Sequence, residues 1–282
     1  MKKFRLSSDD NILFLQDINK NKDEYASVFE NPYLAMYKRA HDEFGAKVHL
    51  NLFYEFIPNS RNFSSEREYF NLSMMTDKFR DEFRANSDWL KLAFHANSEY
   101  PDKPYKDASP EKIREDYLRV CREIERFAGS ECISNTTTIH WGEATREGVR
   151  ELRRLGLRSL TGYFRTNGAG DPIVSYYFDA DRLDLVSNSD YFYDPETDMS
   201  FAQIDLVLNE KTYEHNISAL GEIINDPLRG GFVSLMIHEQ YFHSDYRRYL
   251  PDFEKRVLDA CKMLKEKGYL GTHLKDMIFS DQ

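Results

Sequence analysis

Residues 90–99 read LKLAFHANSE, and the rest of the chain is best read outward from them. Leu90, Leu92 and Phe94 recur at period two, the spacing of a strand with one apolar face, and the alternation runs directly into His95. A strand that delivers an imidazole at its C-terminal end, with Glu99 four residues on, has the form of a site-bearing strand in a β/α barrel. Upstream, Val48, Leu50, Leu52 and Tyr54 repeat the alternation, and residues 3–8 form a first strand that ends at Asp9-Asp10. After those acids the spacing gives only a loop or irregular helix. Then Asn31-Pro32 caps a helix with Leu34, Tyr37, His41 and Phe44 on one face, stopped by Gly45. A short helical stretch surrounds Phe79 and Phe83.

Downstream, Ser109-Pro110-Glu111 starts a helix whose apolar face carries Ile113, Tyr117, Cys121, Ile124 and Ala128, and Gly129 ends it. A strand is expected near 132–139, a helix with Val149, Leu152 and Leu155 up to Gly156, and a strand at 157–164. After a pause the rhythm resumes with a strand at 202–208, a helix at 213–224, a strand at 232–237 and a helix at 253–264. Alternation of this kind predicts an α/β fold with a parallel sheet, here a (β/α) barrel of about seven strands. The pause at 168–200 holds Gly, Asp and Pro clusters around the apolar segment 173–178, and reads as an inserted β-hairpin or lid.

At 282 residues the chain can bury one substantial core, and it is read as one domain, 1–282. A net charge of −10 without a dense Lys/Arg stripe removes the attraction that nucleic-acid and anionic-membrane partners depend on. No apolar run approaches the roughly 20 residues of a membrane span. The start Met1-Lys2-Lys3 leads to acids rather than a signal-peptide core, so the expected location is cytoplasmic. Cys121, Cys132 and Cys261 are odd in number and lack C-x-x-C spacing, which points to core residues rather than disulfides or thiolate zinc.

In a closed barrel the residues just past each strand share one rim, where active sites are built. Here those positions are Asp9 and Asp10, His95 and Glu99, His140 and Trp141, and His238 and Glu239. Each has an ordinary explanation alone: an acidic pair caps a turn, an H-x-x-x-E pair sits on a solvated turn, His140-Trp141 fills the barrel mouth, His238 bonds backbone in the core. Together they suit a divalent ion, which takes mixed imidazole and carboxylate ligands, with Asp10, His95 and Glu99 as the expected set. Zinc is the first expectation, with cobalt, nickel or manganese as alternatives. His41, His49, His215, His243 and His273 are read as structural.

The pattern resembles the polysaccharide deacetylase superfamily, the NodB-like carbohydrate esterases, over nearly the whole chain. The resemblance rests on FRLSSDD at 4–10, LKLAFHANSE at 90–99 and FVSLMIHE at 232–239. It implies a distorted β/α barrel and a metal-dependent hydrolase that removes an acyl group from an N- or O-acetylated sugar. It also implies Asp9 as general base, Asp10 as metal ligand and His238 as general acid. The family's H-x-x-x-H motif supplies two ligands; here its second position is Glu99. His140, Trp141, Tyr54 and Glu239 are the expected substrate contacts, with Trp141 and Tyr54 stacking on a sugar ring. Asn11 stands where the family pattern has Gly, His140-Trp141 falls near the place of its Arg-Pro segment, and Asp205 is the candidate for the acid that orients His238. The alternatives are a metal hydrolase of a non-sugar amide and a catalytically degenerate glycan-binding module.

Overall fold

The structure, a computed structural model, describes residues 1–187 and 189–278. Eight strands carry the architecture: β1 (Lys3–Asn11), β2 (Val48–Phe53), β3 (Leu90–Ala96), β4 (Thr136–Thr137), β5 (Ser159–Gly162), β6 (Met199–Gln203), β7 (Leu206–Val207) and β8 (Phe232–His238). One sheet has the parallel order β7-β8-β1-β2-β3, with the short Leu270–Gly271 strand also beside β1. A second sheet runs β6-β5-β4, also parallel. An isolated parallel bridge from Leu92 to Ile133 joins the two on one side. On the other, the chain itself passes from β6 to β7. These two are halves of the one strand expected at 202–208, so the ring has seven parallel positions and is not closed into one continuous ladder.

Among the helices of the described residues are α1 (Leu13–Lys20), α2 (Pro32–Phe44), α3 (Pro110–Phe127), α4 (Arg146–Arg154), α5 (Tyr213–Asn225) and α6 (Phe253–Glu266), with a short one at Arg80–Ala85 where the sequence placed a helical stretch. Four start as the sequence dictates, the side chains of Asn31, Ser109, Thr145 and Thr212 accepting from Leu34, Lys112, Gly148 and His215 N–H. Gly45 closes α2 in the left-handed region, at φ 72°. Within β1 the pleat sorts the side chains: Ser8 bonds Tyr33 of α2, whereas Arg5 bonds Ser234 of β8. Phe4, Leu6 and Ser8 therefore face the helices, and Arg5, Ser7 and Asp9 face the ring interior. That interior is polar, with buried Asn51, Thr137, Thr138, Thr161 and Ser234.

The segment expected at 168–200 as a hairpin or lid is more elaborate. Arg165–Thr166 pairs antiparallel with Pro172–Ile173, as expected, but a helix (Ala180–Ser187) and a strand (Tyr191–Asp194) antiparallel to β6 follow. Phe164, Tyr176, Phe178 and Phe201 pack together and hold this insertion against the ring. Its approach is so close that a Cβ on Gly142 would stand 2.3 Å from Val174 Cγ1. Cys132 and Cys261 are buried, and all three cysteines are free. Among the described residues no helix is long and apolar enough to cross a membrane.

Candidate metal centre

Asp9 and Asp10 are sequence neighbours, and a regular strand would send them to opposite faces. Asp10 instead has φ 61°, and the β1–β2 pairing shifts register between Ser8 and Asn11. This bulge turns both carboxylates to the rim, where they line one cavity of about 390 Å³ with His95, His140, Trp141 and His238. A non-glycine residue in the left-handed region costs on the order of 1 kcal/mol, and such strain gathers at functional sites.

Three donor atoms converge there. His95 Nε2 lies 3.0 Å and His140 Nδ1 3.3 Å from Asp10 Oδ1, and the two ring nitrogens are 3.1 Å apart. Each ring is fixed by its other nitrogen: His95 Nδ1 donates to Thr138 carbonyl (2.5 Å) and His140 Nε2 to Glu99 carbonyl (3.1 Å). Gln240 Nε2 donates to Asp10 Oδ2 at 2.9 Å, which leaves Oδ1 to the cluster. With both N–H groups turned outward, two imidazole lone pairs and a carboxylate oxygen point at one another. That arrangement is stable only around a cation, either a proton or a metal. Tetrahedral zinc with bonds of about 2.0–2.1 Å would need donors about 3.4 Å apart, close to what the three atoms already offer. Phe53 packs against both rings, at 5.2 and 4.9 Å between centroids.

The electrostatics agree. Burial alone would raise the Asp10 carboxyl, but its bonds to His140 and His95 hold it well below the usual range. Burial would likewise lower His95, and the Asp10 bond with the charges of Asp9 and Asp10 raises it instead.

Glu99 is not one of the three. Coupling at i, i+4 brings two heads together on a helix, and the chain after β3 is irregular from 97 to 109. The Glu99 side chain accepts from Asn62 Nδ2 at 2.8 Å, and burial, followed by the charge of Asp10, pushes its carboxyl up to about 7. The third donor is His140, expected only as a substrate contact. It follows the short strand β4, where Trp141 takes φ 63° and leaves its ring at the cavity mouth, 45% exposed.

Asp9 and His238 both line this cavity. Asn51 Nδ2 donates to Asp9 Oδ1 at 2.6 Å, and the buried Arg5 lies beneath. Burial pulls the Arg5 guanidinium down to about 10, with the Asp9 charge opposing it. His238 Nδ1 donates to Asn209 Oδ1 at 3.0 Å. Asp205 does not orient His238: its carboxylate accepts from Ser234 N–H, four residues back along β8. Two expected substrate contacts are displaced. Tyr54 lies outside the cavity lining, its ring 5.1 Å from the Arg119 guanidinium. Glu239 is 0% exposed and accepts from the N–H groups of Ile12, Leu13 and Phe14 at 2.6, 2.9 and 2.6 Å, capping α1. Sequence spacing gave no sign of Asn51, Thr138, Asn209 or Gln240, whose contacts join segments far apart in the chain.

No protein-family model and no curated protein matches the sequence. Solved structures do. A family 4 acetyl xylan esterase from Clostridium thermocellum, in complex with cobalt, aligns over 98% of this chain and 90% of its own at 13% identity, TM-score 0.50. The chain has the fold of the family 4 carbohydrate esterases. A Streptococcus mutans esterase of that family matches over 96% of this chain and 85% of its own, at 9% identity and TM-score 0.47. The chain also aligns over its full length with 41% of a 4-alpha-glucanotransferase from Thermococcus litoralis, at 11% identity and TM-score 0.56. The fold therefore does not choose the reaction.

Proposed function

We propose that the protein is a metal-dependent hydrolase that removes an acyl group from an acylated sugar, and that residues 1–282 act as one domain. The observation that carries this reading is the convergence of Asp10, His95 and His140 beside Asp9 and His238 in one cavity. A divalent ion held by the three would supply Lewis acidity to the acyl oxygen and to the attacking water. Asn51 holds Asp9 Oδ1, so Oδ2 is the atom assigned to receive the water's proton. Asn209 holds His238 Nδ1, so Nε2 is the atom assigned to protonate the leaving nitrogen or oxygen. The water oxygen bonds to the acyl carbon, the bond to the sugar's nitrogen or oxygen breaks, and the departing atom takes the His238 proton. The exposed ring of Trp141 offers a stacking face for the sugar.

The test is metal content by elemental analysis after reconstitution with zinc, cobalt or nickel, followed by assay on N- and O-acylated sugars. About one ion per chain, lost in Asp10→Ala, together with release of the free acid, is the expected result. No bound ion in either protein would overturn the reading.

A further inference from the structure

The site cavity adjoins a second chamber of about 140 Å³, which shares Asp10, Glu99, Tyr100 and Gln240 with it but includes neither Asp9 nor His238. Its remaining walls are mostly apolar: Ile12, Phe53, Phe56, Ile57, Pro58 and Phe63. The polar groups among them are already engaged. Glu55 accepts from Asn97 and Tyr69, Ser98 Oγ donates to Tyr100 carbonyl, and Asn59 Oδ1 accepts from Arg61 N–H. An occupant would therefore meet mainly hydrocarbon and ring faces, with the unpartnered Gln240 Oε1 on the wall shared with the site cavity.

We infer that this chamber receives the hydrocarbon tail of the acyl group. The preferred substrate then carries an acyl chain of about four to six carbons, or an aryl acyl group, rather than acetyl. The inference rests on the hydrolytic reading above. Two arguments fix the occupant. A protonating His238 must stand beside the leaving atom, so the sugar lies toward His238 and the acyl tail extends the other way, past Asp10. Size is the second: an apolar cavity of about 150 Å³ takes up a benzene-sized guest, whereas the single methyl of acetyl would leave most of this chamber unfilled. Phe53 lines the chamber and packs on both histidines, which makes the chamber continuous with the reacting centre. Ile57, 57% exposed, lies at its edge.

The experiment compares N-acetyl-, N-butyryl- and N-hexanoylglucosamine on the zinc-loaded full chain. Binding is titrated calorimetrically in His238→Ala to suppress turnover, and kcat/KM is measured in the unmodified protein. Each buried methylene should tighten binding about fourfold, so butyryl should exceed acetyl about tenfold or more. Ile57→Trp, which adds bulk at the chamber edge, should collapse that ratio toward one. Tightening with chain length that Ile57→Trp abolishes, without any product, would sustain the chamber and sink the hydrolase reading. Hydrolysis of all three with equal affinity, or a ratio unchanged by Ile57→Trp, would sustain the hydrolase reading and overturn the chamber assignment.

Discussion

Asp9 and His238 are register partners across the parallel pairing of β1 with β8, so their side chains leave neighbouring strands on the same face and line the same cavity. Neither belongs to the three-donor cluster. Removing either should leave metal in place and stop proton transfer. Asp9→Asn and His238→Ala are expected to retain about one ion per chain while turnover falls roughly 10²–10⁴-fold. Loss of metal from either variant would contradict the division of roles.

His140 and Glu99 make opposite predictions. His140→Ala removes one of three donors and should abolish stoichiometric zinc binding. Glu99→Gln should keep the metal, because its carboxylate bonds Asn62 and its bond to a donor residue is made by its backbone carbonyl, to His140 Nε2. Elemental analysis of the two variants side by side decides between these ligand sets.

The His95–Asp10 pair sets a pH dependence. His95 is raised above its unfolded value of about 6.5, so its contribution to stability is present below that pH and is lost as pH rises through the raised value. Asp10 is depressed, so its contribution is present above about 3.9 and is lost as pH falls through its lowered value. Metal-free protein should therefore lose Tm from mildly acidic to alkaline pH, relative to a His95→Gln reference. Zinc takes the place of the proton, so its affinity should climb over the same range with release of protons. Thermal melts and zinc titrations across about pH 5–9 check both; pH-independent zinc affinity would count against the site.

Glu239 predicts a stability effect. Its buried carboxylate takes three backbone N–H groups at the start of α1, which has no cap of its own. Glu239→Ala should cost about 2–4 kcal/mol in denaturant unfolding, since charge-assisted bonds are lost and buried donors are left unpaired. A change under about 0.5 kcal/mol would show that α1 is capped by other means.

How much of this was legible depended on the range of the interactions involved. Leu90, Leu92 and Phe94, and the Ser109-Pro110 helix start, act through neighbours in the chain, so period and capping chemistry placed β3 and α3 within a residue or two. Helix α1 was hidden because its cap, Glu239, lies more than 220 residues away. The strand expected at 132–139 shrank to Thr136–Thr137, which pairs with Ser159 and Leu160, while Ile133 makes only an isolated bridge to Leu92.

The sequence by itself determined the order of strands and helices, and the position of Asp9, Asp10, His95, His140 and His238 at or just past strand ends, because pleat and helix period are local properties. Tertiary structure alone decided which of them meet. A left-handed Asp10 turned two adjacent acids the same way, the irregular chain after His95 released Glu99, and Thr138 carbonyl aimed His95 at His140 from 43 residues away. A donor set is fixed by distances of about 3 Å between separate strands, and spacing along one chain carries no such information.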